Sequence, residues 1–180
     1  MKLSEIELVN GNHFVAMQYY GLILNRTYLV LEMKNHLVGI VANGLVSVKG
    51  GADSLTRRIT TRLAINGDLN NPFSYLNEKY LEKASSLDLL GDNLSESHRA
   101  NFRYGFEDIS SVNYDPSKKW GMGYYPHNGK VYITTHGKTR EFIILGNQSG
   151  LAISERINNA IESANNQLNQ DAPKSGAPVS

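Results

Sequence analysis

The chain of 180 residues contains no cysteine. That excludes disulfides, thiolate nucleophiles and Cys-ligated zinc or iron–sulfur centres, and it fits a reducing compartment. An excess of either charge sign is missing too. The formal net charge is +1; residues 1–90 carry nine basic and eight acidic side chains, and residues 91–180 carry nine of each. A protein that grips a phosphate backbone normally shows a basic stripe or a high pI. The value here is near 7.9, which disfavours a nucleic-acid partner. No apolar run can span a bilayer: stretches such as 19–24 and 37–42 are far too short. Glu5 and Glu7 stand where a secretory signal needs its apolar stretch, so a cytoplasmic location is expected. No nucleophile elbow or dinucleotide fingerprint occurs, and nothing calls for a metal or a cofactor.

Charged residues make up 19% of the chain and hydrophobic ones 41%, enough for a sizeable core. Residues 13–48 read as β. The stretches 13–24, 27–33 and 36–42 are apolar or alternating, with polar breaks at Asn25-Arg26 and Lys34-Asn35. Asn43-Gly44 is a type I′ turn signal, followed by a short run at 45–48. Residues 52–103 change character. Ser54 opens a segment that reads as helix or strand. Asn71-Pro72 marks a helix start, with Phe73, Leu76, Tyr80 and Ala84 on one face, and a short helical turn is expected around 86–94.

Residues 104–146 return to β. The odd spacing of Ile109 and Val112 predicts a bulge in 106–114. A strand over 120–126 leads to a turn at Asn128-Gly129, then Val131, Ile133 and Thr135 share one face before a turn at His136-Gly137-Lys138. The run 142–145 is apolar on both faces, which predicts a central strand. From Ser149 as cap, Ile153, Ile157, Ala160, Ile161, Ala164 and Leu168 form an apolar helical stripe opposite Glu155, Arg156 and Asn158. The expected fold is α+β: an antiparallel sheet or partly open barrel capped by a C-terminal amphipathic helix. Residues 1–169 form one domain with a helical insertion at about 52–103, and 170–180 are a disordered tail.

This order, with the run 106–112, the Asn128-Gly129-Lys130-Val131 hairpin, the strand 142–145 and the closing helix, resembles the pleckstrin-homology-like superfold, its bacterial members in particular. The resemblance implies a non-catalytic interaction surface for a protein, a peptide or an anionic head group. The basic first hairpin of lipid-binding members is missing, since only Arg26 and Lys34 lie in the first two turns. Phosphoinositide binding is therefore not carried over.

The most distinctive stretch runs from Lys118 to His127. Lys118 and Lys119 suit an anion, and Trp120, Tyr124 and Tyr125 suit stacking. The plainer reading makes 115–119 a polar loop, with Trp120 and Tyr125 packed on the sheet edge. Arg57, Arg58 and Arg62 could hold a phosphate or an acidic partner, or simply form a solvated face. His127 and His136 fall at opposite ends of one strand, about 20 Å or more apart, so one metal cannot take both. His13, His36 and His98 have no local partner at ligand spacing, and nothing selects Asp108, Asp115 or Glu141 as a catalytic pair. The function expected is a binding module for a protein or peptide. The alternatives are a small enzyme using Tyr124, His127, Arg58 and Glu141 in a pocket between sheet and insertion, and an anionic-lipid or nucleic-acid binder. Self-association is left open.

Overall fold

The computed structural model describes residues 1–20, 25–44, 68, 70–120, 122 and 126–171. The sequence readings at 45–48, 54–67 and 172–180 lie outside the described residues. The described strands are β1 (His13–Tyr19), β2 (Asn25–Glu32), β3 (His36–Asn43), β4 (Phe102–Gly105), β5 (Ile109–Asp115), β6 (His127–Thr135) and β7 (Lys138–Leu145). The helices are α1 (Glu78–Ser85), α2 (Leu94–Ser97) and α3 (Gly150–Asp171). All strands pair antiparallel in one sheet of order β4-β3-β2-β1-β7-β6-β5. Two meanders thus join through β1 and β7.

The curl of this sheet follows from connectivity. β4 and β5 are its two outer strands, yet only the 3-10 turn Phe106–Asp108 separates them in sequence. Laid flat, seven strands would set those edges about 29 Å apart at the usual inter-strand spacing. Four Cα steps, from Gly105 to Ile109, reach about 15 Å at most. The sheet must therefore bend until its edges approach, which gives the half-barrel.

Both faces are covered. Phe14, Ala16, Tyr28, Val30, Val131, Ile133, Phe142 and Ile144 face α3, which adds Ile153 and Ile157. Val15, Met17, Leu29, Leu31, Ile40 and Ile143 face the opposite way, onto Tyr75, Ala84, Leu89 and Leu94 of the insertion. This two-sided cover explains why β1, β2 and β3 read as nearly continuous apolar runs. The expected capping helix is present. The Ser149 hydroxyl accepts from the Ala152 amide at 3.2 Å, and Ala160, Ile161 and Ala164 extend the packed stripe. Leu168 is 58% exposed, so the stripe ends before it.

Several local expectations change. The helix read from Pro72 to Ala84 is broken: a 3-10 turn at Pro72–Tyr75 is capped by Asn71, and α1 starts afresh from a second cap, Asn77. Asn77 binds the Lys79 amide and stops the first turn from propagating. β4 falls at the end of the region read as helical. Its pairing with β3 places Phe102 opposite Gly39, a contact invisible in local sequence. Asn128-Gly129 is not a hairpin turn. It lies inside β6, where the register shifts between His127 and Lys130 and Gly129 adopts φ +69°. The described residues of 120–126 belong to no strand. The bulge in β5 is found between Ile109 and Ser111, and His136-Gly137 forms the β6–β7 turn with both φ values positive.

Candidate functional site

The site grows from the way β7 leaves the sheet. After Leu145 the chain turns at Gly146, whose amide donates to the Pro126 carbonyl at 2.9 Å. Gln148 then folds back. Its Oε1 accepts from the Val15 amide at 2.8 Å, and its Nε2 donates to the carbonyls of Val15 (2.7 Å) and Leu145 (2.8 Å). One side-chain amide replaces the missing backbone rung and acts as a prop between β1 and the end of β7. Val15 is fully buried, so Gln148→Ala strands two backbone groups away from water. The expected cost is about 2–3 kcal/mol, read as a lowered urea midpoint.

Beside this prop lies a cleft of about 810 Å³, lined among others by Leu8, His13, Phe14, Phe73, Gln148 and Arg156. Phe14 and Ile153 belong to its buried floor. Leu8 and Phe73 line it while 42% and 43% exposed, which puts apolar surface in contact with water. His13 packs against Phe73, ring centroids 5.2 Å apart. Asn12 Oδ1 accepts from the Val9 amide and lies 2.8 Å from His13 Nδ1, so Nδ1 is the protonated nitrogen. Burial pulls the His13 pKa below its ordinary value, the Arg156 charge pushes the same way, and a hydrogen bond from the ring to the Val9 backbone partly opposes them. The balance favours the neutral imidazole.

Arg156 is anchored across the sheet. Its Nε and NH2 donate to the two carboxylate oxygens of Glu32 at 3.1 and 2.6 Å. Burial raises the Glu32 pKa, and Arg156 pulls it back. The only lining hydroxyl with an assigned role, Ser149 Oγ, caps α3. The lining therefore offers apolar contact, amide groups, one imidazole and a guanidinium already paired with Glu32. That is chemistry for holding a ligand.

The residues singled out from sequence lie elsewhere. Lys118 is exposed, with no ion pair among the described residues. Lys119 Nζ meets Glu141 Oε1 at 2.6 Å, and its amide donates to His127 Nε2 at 2.9 Å. Glu141 also accepts from the Tyr132 hydroxyl at 3.0 Å. Lys119 is thus matched by an internal acid. Trp120 is 94% exposed, so it does not pack on the sheet edge. Tyr124, Tyr125, Arg57, Arg58 and Arg62 lie outside the described residues. Lys130 and Ser117 bind Asp115 and hold its carboxyl down to about 2. His127 and His136 do fall at opposite ends of β6, and His136 Nε2 lies 3.4 Å from Asp108. Among the described residues no group of three or more His, Asp or Glu side chains converges on a metal position. No described helix is long and apolar enough to cross a membrane.

Sequence reasoning missed the cleft because its parts come from three distant stretches: the segment leading into β1, the Pro72 turn and the head of α3. Arg156 read as a solvated residue of the polar helix face. No protein-family model matches the chain, and comparisons with curated proteins and with solved structures find no match.

Proposed function

We propose that the chain is a non-catalytic binding module of pleckstrin-homology-like architecture whose cleft takes a short peptide segment of a partner protein. The meander order, with a C-terminal helix laid against the curled sheet, supports the architecture. The observation that carries the binding reading is the cleft itself. Exposed Leu8 and Phe73 offer apolar seats for one or two anchoring side chains, and the amides of Asn10 and Asn147 beside them suit a peptide backbone. The binding energy should be concentrated in the few contacts with Phe73 and His13.

Selection from a random peptide library displayed on phage tests this. Enriched peptides should bind the Ala152→Trp variant at least tenfold more weakly, because the indole fills the cleft, and Phe73→Ser similarly. Thermal unfolding verifies that both variants are folded. A library that yields no enriched peptide, or peptides indifferent to both substitutions, overturns the proposal.

A further inference from the structure

At the opposite end of β1 from the cleft, the α3-facing side of the sheet carries two arginines without an acid among the described residues. Arg140 is half-buried on β7. Its guanidinium lies over three rings, 4.1 Å from the Phe102 centroid and 5.3 Å from those of Tyr28 and Phe142. It donates to Gln18 Oε1 at 2.7 Å, to the Tyr28 hydroxyl at 3.0 Å and to the Tyr104 hydroxyl at 3.3 Å. Every acceptor is neutral. A guanidinium has five N–H donors, so two remain uncommitted among the described residues. Arg26 follows on β2, directly across the ladder from Gln18, with its guanidinium 3.6 Å above the Tyr20 ring. Neither arginine has a carboxylate within 4 Å among the described residues. The other half-buried arginines differ: Arg156 pairs with Glu32 and Arg103 with Asp92.

Partly desolvated charge is normally matched by an opposite charge. Here two fixed positive charges flank one neutral amide, each spread on aromatic faces that hold the guanidinium plane still. A doubly charged phosphoryl group matches two guanidinium forks better than a singly charged carboxylate does. We infer that Gln18, Arg26, Tyr104 and Arg140 form a second binding site, taking the phosphoryl group of a phosphomonoester. This goes beyond the cleft proposal and shares no residue with it. The group can belong to a soluble molecule or to a lipid head.

The test titrates the full chain with inorganic phosphate at constant ionic strength, following backbone amide shifts by NMR. A parallel arm measures co-sedimentation with phosphatidylcholine vesicles containing phosphatidic acid. Gln18→Glu is the discriminating variant. It keeps the acceptor for Arg140 and places a carboxylate between the arginines, so it should stay folded and bind at least tenfold more weakly. Arg26→Gln, away from the buried rings, should weaken binding in the same direction. Saturable shifts at Gln18, Arg26 and Tyr104 in wild type, lost in Gln18→Glu, support a soluble phosphomonoester. Co-sedimentation lost in Gln18→Glu supports a lipid source. Absence of both responses, or equal responses in wild type and variant, overturns the inference and leaves the cleft proposal standing.

Discussion

Gly39→Val is expected to destabilise the protein by about 3 kcal/mol, because it drives a side chain into a filled aromatic layer. Gly39 sits on β3 directly across from Phe102, and a Cβ at this position would overlap the Phe102 ring. The ring has little room to withdraw. It stacks on Tyr104 at 4.7 Å, tilts against Phe142 at 5.6 Å and Tyr28 at 5.9 Å, and carries the Arg140 guanidinium on its face. At about 2–4 °C per kcal/mol for a chain this long, the melting temperature should fall by about 6–12 °C. The double variant Gly39→Val with Phe102→Ala should recover part of that loss, since the deleted ring makes room for the added branch. Additive losses in the double-mutant cycle would show that the strain lies in the backbone and not in this contact.

Arg156→Leu should cost about 3 kcal/mol at pH 7, since removing one partner of a largely buried pair leaves the other charge without compensation. Glu32 is 11% exposed and its carboxylate is held by both nitrogens that Arg156 presents. The pH dependence identifies the cause. Burial already raises the folded Glu32 pKa, and Arg156 is what restrains it. Without the arginine the folded pKa rises further above its unfolded value. A group raised in this way favours the folded state at low pH and loses that contribution as pH rises through its folded pKa. The variant should therefore be least destabilised near pH 4 and most destabilised at pH 7, by urea unfolding at each pH. Glu32→Gln in the same background should flatten the profile. A penalty that does not vary with pH would mean that lost packing of the arginine stem dominates.

What local sequence could show is the part of the fold set by periodicity. The stripe Ile153, Ile157, Ala160 needs a surface, and the run 142–145 needs cover on both faces; α3 and central β7 answer both. The β6–β7 turn was legible because His136-Gly137 sits between alternating segments. The Asn128-Gly129 dipeptide carried the same local signal yet marks a bulge, because Gly129 meets the Asp115 backbone and Tyr114 in space. β4 was hidden for a related reason. Four residues show no alternation, and only the long-range match of Phe102 to Gly39 makes them a strand. The candidate sites were less legible still. Lys119 and Trp120 stood out in sequence, but Glu141 neutralises the first and the second extends into water. His13, Phe73 and Arg156 lie far apart in sequence and share one cleft only in the folded chain.

The junction between the two meanders is thin in one respect. β1 and β7 share only the pairs Ala16↔Ile144 and Met17↔Ile143, whereas β1 and β2 are in register along their whole length. Apart from the Gln148 bridge and the Arg140–Gln18 bond, cohesion across that line comes from greasy side chains above and below it. Such cohesion fades on cooling and in denaturant. Chilled or mildly perturbed molecules should then open like a hinged shell, each half keeping its own hairpins, and amide protons along the join should be the first core positions to trade with deuterated solvent.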